Sequence, residues 1–251
     1  MMSISPSTGR AQTVYEHAWE IRDTYGYRDF AAGEAELREF LVARVWSSLE
    51  GPRALFDRAV VWLVNNRVLL PGVTSLARTV AALRQEENDR LHAALYEVVP
   101  YELRTEMVRL LEVPEKKRVS ELERLRLGPM RVSGKAMELA LDRAREVRGL
   151  GAGAVDAGRV PAARMTGLAR YGLTSKAPTL KRLEVTRQTA TLLATVRHLE
   201  TATVDDALDL LHALMATKLL AKAERRATTP SSRFCPSCAR PRRRSPQRST
   251  C

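Results

Sequence analysis

No stretch of this 251-residue chain reaches the roughly 20 consecutive apolar side chains of a membrane-spanning helix. That excludes a helical membrane protein. The opening residues, Met1 to Arg10, lack the apolar core of a secretory signal, so a cytoplasmic location is expected. Cysteine is nearly absent. The chain has three, and all lie near its end at Cys235, Cys238 and Cys251. No disulfide framework can therefore hold the body, which fits a reducing compartment. Aromatic residues make up only 5% of the chain, so the core must be built from Leu, Val and Ala. No alternating apolar pattern of a strand is legible, nor any repeat of fixed period.

What is present is helix-forming sequence rich in Ala, Leu, Arg and Glu. Leu37, Phe40, Leu41, Val45 and Leu49 share one face of a helix. Leu55, Phe56, Ala59, Val60 and Leu63 do the same after Gly51-Pro52, with proline suited to a first turn. Leu69-Leu-Pro-Gly72 marks a break. Thr74 is then expected to cap a helix whose apolar face is Leu76, Val80, Leu83, Leu91 and Leu95. Ser120 with Glu123 reads as a capping box before a short helix ended by Gly128-Pro129. Met137 to Val147 forms another helix, and the glycines from Gly149 to Gly158 a flexible joint. Two short helices are expected around a turn at Gly172, with Thr174 or Ser175 as a cap. Thr203 with Asp206 signals a fresh helix start after the one holding Leu192, Leu193, Val196 and Leu199. The expected fold is all-α. Its division is a helical module over residues 1–113, a connector and glycine-rich linker over 114–158, a basic helical module over 159–226 and a disordered basic tail over 227–251.

The net charge of +12 is unevenly spread. Residues 1–158 are neutral overall. Arg159 to Arg187 carry seven basic residues and one acid, Glu184. The last thirty residues carry nine basic residues and one acid. Phosphate binding needs several cations on one surface, and the dense run around Tyr171 supplies Arg164, Arg170, Lys176, Lys181 and Arg182. The plain alternative is a solvated charge run. The break at Gly72 adds a second helix-break-helix unit, with Arg67 before the turn and Ser75, Arg78 and Arg84 early in the next helix. A helix-turn-helix protein sets the start of such a helix against base edges and phosphates. The plain alternative there is a helical hairpin with solvated arginines.

Other motifs fall short of chemistry. Cys235-Pro-Ser-Cys238 has metal-knuckle spacing, but structural zinc wants four ligands and only Cys251 is nearby. His198-Leu-Glu200 upstream of it is a poor match to a zinc deaminase signature, because Phe234 stands where proline is needed. Val132-Ser-Gly-Lys135 lacks the upstream glycine of a phosphate loop. Gly149, Gly151 and Gly153 follow a helix rather than a strand, which argues against a dinucleotide site. Neither a metal, a cofactor nor a catalytic residue is expected.

Several stretches, in order, resemble one family. They are Tyr25 to Phe30, Glu36 to Trp46, Gly51 to Val80, Arg170 to Leu183 and Arg187 to Arg226. Over residues 15–226 the chain is similar to the amino-terminal region of replicative transposases of the Tn-three family. The resemblance implies a helical region that binds double-stranded DNA at the terminal inverted repeats with more than one module. It also implies that magnesium-dependent cutting belongs to a later ribonuclease-H-like domain, so the chain is expected to be a non-enzymatic fragment. After Arg226 the composition departs from the family's charged helical pattern, which reads as an out-of-frame or remnant end. On these grounds Arg67, Ser75, Arg78, Arg164, Arg170, Lys176, Lys181 and Arg182 are the candidate DNA contacts. Three other readings stay open: a helical module, including the acidic stretch from Thr203 to Leu220, that contacts other transposase protomers, an inactive transposase remnant, and an intact zinc enzyme.

Overall fold

The structure is a computed structural model that describes residues 11–115, 117–220 and 223. Among the described residues it is all-α, with no strand. The expected basic tail and its Cys235-x-x-Cys238 pair lie outside the described residues. No helix among those described is long and apolar enough to cross a membrane. The helices are α1 (Ala11–Tyr25), α2 (Phe30–Ser47), α3 (Pro52–Asn65), α4 (Val73–Val98), α5 (Tyr101–Arg109), α6 (Glu121–Arg126), α7 (Gly134–Gly149), α8 (Ala162–Thr174), α9 (Ala177–Lys181) and α10 (Val185–Leu214).

Fourfold apolar spacing builds the first core. Leu37, Leu41 and Val45 of α2 meet Leu55, Ala59 and Leu63 of α3 and Leu76, Val80 and Leu83 of α4. Val68 of the α3–α4 turn closes it and lies against Gly33 of α2. The turn is also tied to the α1–α2 loop, because the Arg28 amide donates to the Arg67 carbonyl at 2.7 Å and the Leu69 amide to the Arg28 carbonyl at 2.9 Å. Arg67 adopts φ 51°, in the left-handed region that is unfavourable for a side chain bearing Cβ.

The second core forms around α10. Residues 189–196 are buried without interruption, so this segment is surrounded on every side. Leu192, Leu193, Val196 and Leu199 pack with Leu91 and Leu95 of α4, Met107 of α5, Leu122 and Leu125 of α6, and Val147 of α7. Helix α4 thus serves both cores, its first half one and its second half the other. Trp46 at the end of α2 packs on the second core, and Arg90 of α4 stacks over its ring at 5.2 Å. Buried Arg143 of α7 donates to Asp206 of α10 and to the Leu127 carbonyl.

Several local expectations change. Gly72 rather than Thr74 is the N-cap of α4, and no side chain caps it; Thr74 sits inside the helix. Lys176 rather than Thr174 or Ser175 precedes α9, again without a side-chain cap. Thr203 starts no helix. It is buried inside α10, which runs unbroken because no glycine or proline lies between Val185 and Leu214 and its buried positions continue through Ala207 and Leu210. Gly172 is no turn. It is buried within α8, where its missing side chain lets α8 lie directly on Thr191 and Thr195 of α10. The stretch expected as a flexible joint is packed: Ala152, Val155 and Ala157 are buried, the Gly153 amide donates to Glu200 at 3.0 Å, and Arg197 donates to the Val155 carbonyl at 2.6 Å. Small side chains there allow close approach as well as freedom. The Ser120 capping box forms as read: the Glu123 amide donates to the Ser120 hydroxyl at 3.2 Å, and the Ser120 amide to the Glu123 carboxylate at 3.3 Å.

Candidate nucleic-acid interface

Cationic side chains gather where α4, α8 and the start of α10 converge. A cleft of about 710 Å3 opens there. On the α4 side it is lined by Arg84, Asn88 and His92, spaced four residues apart and therefore on one helix face. On the α8 side stand Arg164, Leu168 and Tyr171, again within one face. Arg182, Glu184 and Arg187 close the cleft from the segment that leads into α10.

Some arginines of the fold pair with acids and others, Arg67, Arg78 and Arg170 among them, form no salt bridge among the described residues. Arg28, Arg44, Arg124 and Arg143 pair with Glu36, Glu50, Glu121 and Asp206. Among the described residues, Arg84, Arg164, Arg182 and Arg187 form no salt bridge. The two acids in the cleft are otherwise engaged. Glu184 caps α10, accepting from the Thr186 hydroxyl, the Thr186 amide at 3.2 Å and the Arg187 amide at 3.4 Å. These bonds, led by the Thr186 hydroxyl, hold its carboxyl below the usual range. Asp89 accepts from Gln85 at 2.8 Å.

Half-buried Arg164 donates to Asn88 and so bridges α8 to α4. Burial lowers its pKa, and the like charge of Arg84 lowers it further, against the pull of Glu87. Arg187 lies over the Tyr171 ring at 5.4 Å, which fixes its guanidinium at the cleft wall. His92 is buried, and burial pushes its pKa down. Arg187 and Arg164 push the same way, while Asp89 and Glu184 oppose them. The cleft therefore carries four guanidiniums against two carboxylates around a buried imidazole. Guanidiniums in such an arrangement can offer paired donors to an oxyanion.

The candidate contacts divide by position. Arg164 and Arg182 enter this cleft. Arg170 of α8, Lys176 just before α9 and Lys181 of α9 are exposed, outside its lining. Arg67 is exposed in the α3–α4 turn, and Ser75 and Arg78 are exposed in the first turns of α4. Arg78 lies seven residues before Gln85, on the α4 face that leads into the cleft. Asn88 and His92 were not singled out as contacts. The polar fourfold series from Arg84 carried the signal, but only folding brings it to Arg164.

Among the described residues no group of three or more His, Cys, Asp or Glu side chains gathers to hold a metal ion. His198 is exposed on α10.

The profile of a domain of unknown function (DUF4158) matches residues 3–83. A transposase for transposon gamma-delta of Escherichia coli (strain K12) is 36% identical over 208 residues, which is 82% of this chain and 21% of that protein. A transposase for transposon Tn4556 of Streptomyces fradiae is 57% identical over 113 residues, 45% of this chain and 13% of that protein. A transposase for transposon Tn3926 of Escherichia coli is 24% identical over 201 residues, 80% of this chain and 20% of that protein. The chain spans about a fifth of the length of such relatives.

Proposed function

Starting from a sequence that is related to transposases of the Tn-three family over most of its length, we propose that this chain is their DNA-recognising region and binds double-stranded DNA at the transposon's terminal inverted repeats. The observation that carries the reading is the set of arginines without acidic partners where α4 meets α8 and α10, on a fold whose other arginines include many paired ones. Lys176, Lys181 and Arg170 extend that positive surface outward. Arg67, Ser75 and Arg78 supply a second contact region at the amino-terminal end of α4. Its first-turn amides have no side-chain cap, which suits a phosphate oxygen. Most contacts in such interfaces go to phosphate and sugar, so these cations set position and affinity more than sequence. In this reading strand cleavage belongs to the remaining four-fifths of a transposase.

Fluorescence anisotropy tests the reading. A labelled duplex carrying the terminal repeat of the encoding element is compared with a scrambled duplex at matched salt. Tighter binding to the repeat is expected. Equal affinity would remove the claim of sequence recognition, and no binding to either would remove DNA as the partner.

A second reading rests on the far end of α10. Leu208, Leu211 and Met215 lie exposed in one line, beside Asp205 and Asp209. That stripe fits contact between transposase protomers. Sedimentation that stays monomeric at high concentration counts against it.

A further inference from the structure

The cleft between α4, α8 and α10 differs from the exposed cations around it, and its architecture suggests a more specific role. Four guanidiniums face a partly enclosed space without a carboxylate partner. Two of them are placed by the protein itself, Arg164 by its bond to Asn88 and Arg187 by the Tyr171 ring. The two carboxylates that line the same space also accept bonds from the protein, Glu184 from the first amides of α10 and Asp89 from Gln85, and the four guanidiniums outnumber them. Arg164 is partly desolvated and feels the like charge of Arg84, and an anion between them reverses the sign of that interaction. A planar guanidinium offers paired donors that match phosphate oxygens, and four of them surround a phosphate better than a surface lysine can. The lining also includes donors and acceptors for a bound ester, in Gln85, Asn88 and Tyr171.

We propose that this cleft is a socket for one backbone phosphodiester of bound nucleic acid, gripped by Arg84, Arg164, Arg182 and Arg187. The inference rests on the DNA-binding reading above and deepens it. The socket lies where α4, the helix shared by both cores, meets α8 and the start of α10. A phosphate seated there is held by all three elements at once, which fixes the duplex relative to the contact regions at Ser75–Arg78 and at Lys176–Lys181. The exposed cations steer and hold the duplex, whereas the socket fixes its register.

His92 at the base of the cleft is the reporter. It is faced by Asp89 on its own helix, by Arg164 on α8, and by Arg187 and Glu184 at the start of α10. A phosphate that neutralises Arg164 and Arg187 raises its pKa. The test follows the four imidazoles of the full chain by NMR pH titration, with His92→Gln for assignment and with circular dichroism to check each variant's fold. One arm adds inorganic phosphate and the other a short duplex. The expected result is an upward shift at His92 in both arms, with His17, His198 and His212 unmoved, because these lie outside the cleft lining. Arg164→Gln and Arg187→Gln, tested separately so that one misfolded variant does not end the test, abolish the shift. Each weakens duplex affinity by about tenfold or more, the effect of losing charge-assisted bonds. A duplex that binds while His92 stays silent overturns the socket and leaves the DNA-binding reading standing. A His92 shift with phosphate but no duplex binding overturns both the nucleic-acid source and that reading, and assigns the cleft to a free phosphate.

Discussion

Replacing Gly172 by Ala should weaken the packing of α8 on α10. A Cβ built at this position would stand 1.9 Å from Thr195 Oγ1 and 3.2 Å from Thr191 Cγ2 and Thr195 Cβ. Both threonines are fully buried, and the Thr195 hydroxyl donates to the Thr191 carbonyl at 2.7 Å. The added methyl therefore meets a branched side chain with little freedom to turn. Rotating Thr195 breaks its hydrogen bond and leaves a buried hydroxyl unpaired, which costs about 1–3 kcal/mol. Overpacking adds about 1–3 kcal/mol. Helix propensity returns about 1 kcal/mol, since alanine is the better helix former. The net loss is about 3 kcal/mol, or about 6–12 °C in Tm for a chain of this size. The assay is thermal and urea denaturation followed by circular dichroism at the helix band. Thr195→Ala placed on top of Gly172→Ala removes the clashing hydroxyl, and the double variant should recover most of the loss. An unchanged or raised Tm for Gly172→Ala alone would refute the close-approach argument.

Other consequences are as concrete. Ser120→Ala removes one half of the capping box at a buried position and should cost about 1 kcal/mol in urea denaturation, without change of fold. His92 has a folded-state pKa below its ordinary value, so the unfolded chain binds the extra proton first as pH falls below about 6.5. Its share of stability is therefore present above that pH and lost below it. His92→Gln should flatten that part of the stability–pH curve, and an unchanged slope would deny the burial of the imidazole. Arg143→Met cuts the tie from α7 to Asp206 and the Leu127 carbonyl. It should expose the α6–α7 connection, seen as faster amide exchange around Leu127.

Much of the architecture was legible in local patterns. Fourfold apolar spacing marked Leu76, Val80, Leu83, Leu91 and Leu95 as one buried face, and all five are buried. Capping signals were less secure, because the same residues serve other ends. The hydroxyl of Ser120 caps a helix, whereas that of Thr203 lies inside α10 toward the Glu200 carbonyl at 3.4 Å. Glycine misled for a related reason. Gly172 and Gly153 are small so that Thr195 and Glu200 can approach, not so that the chain can turn. The charge run around Tyr171 was visible, and Arg164 and Arg182 stood out in it. That Arg84, Asn88 and His92 face them could not be read from residues 72 to 98 positions away in the chain, because this juxtaposition is a product of tertiary packing.

The central claim is that the cations at and beside α9 bind DNA phosphates, and the salt dependence of binding tests it most directly. Affinity for the terminal-repeat duplex is measured across a range of salt for the natural chain and for a triple variant, Lys176→Ala, Lys181→Ala and Arg182→Ala. Each phosphate contact contributes about 0.9 to the slope of log affinity against log salt, so the variant should bind more weakly with a slope shallower by about 2–3. Unchanged affinity and unchanged slope would contradict the account.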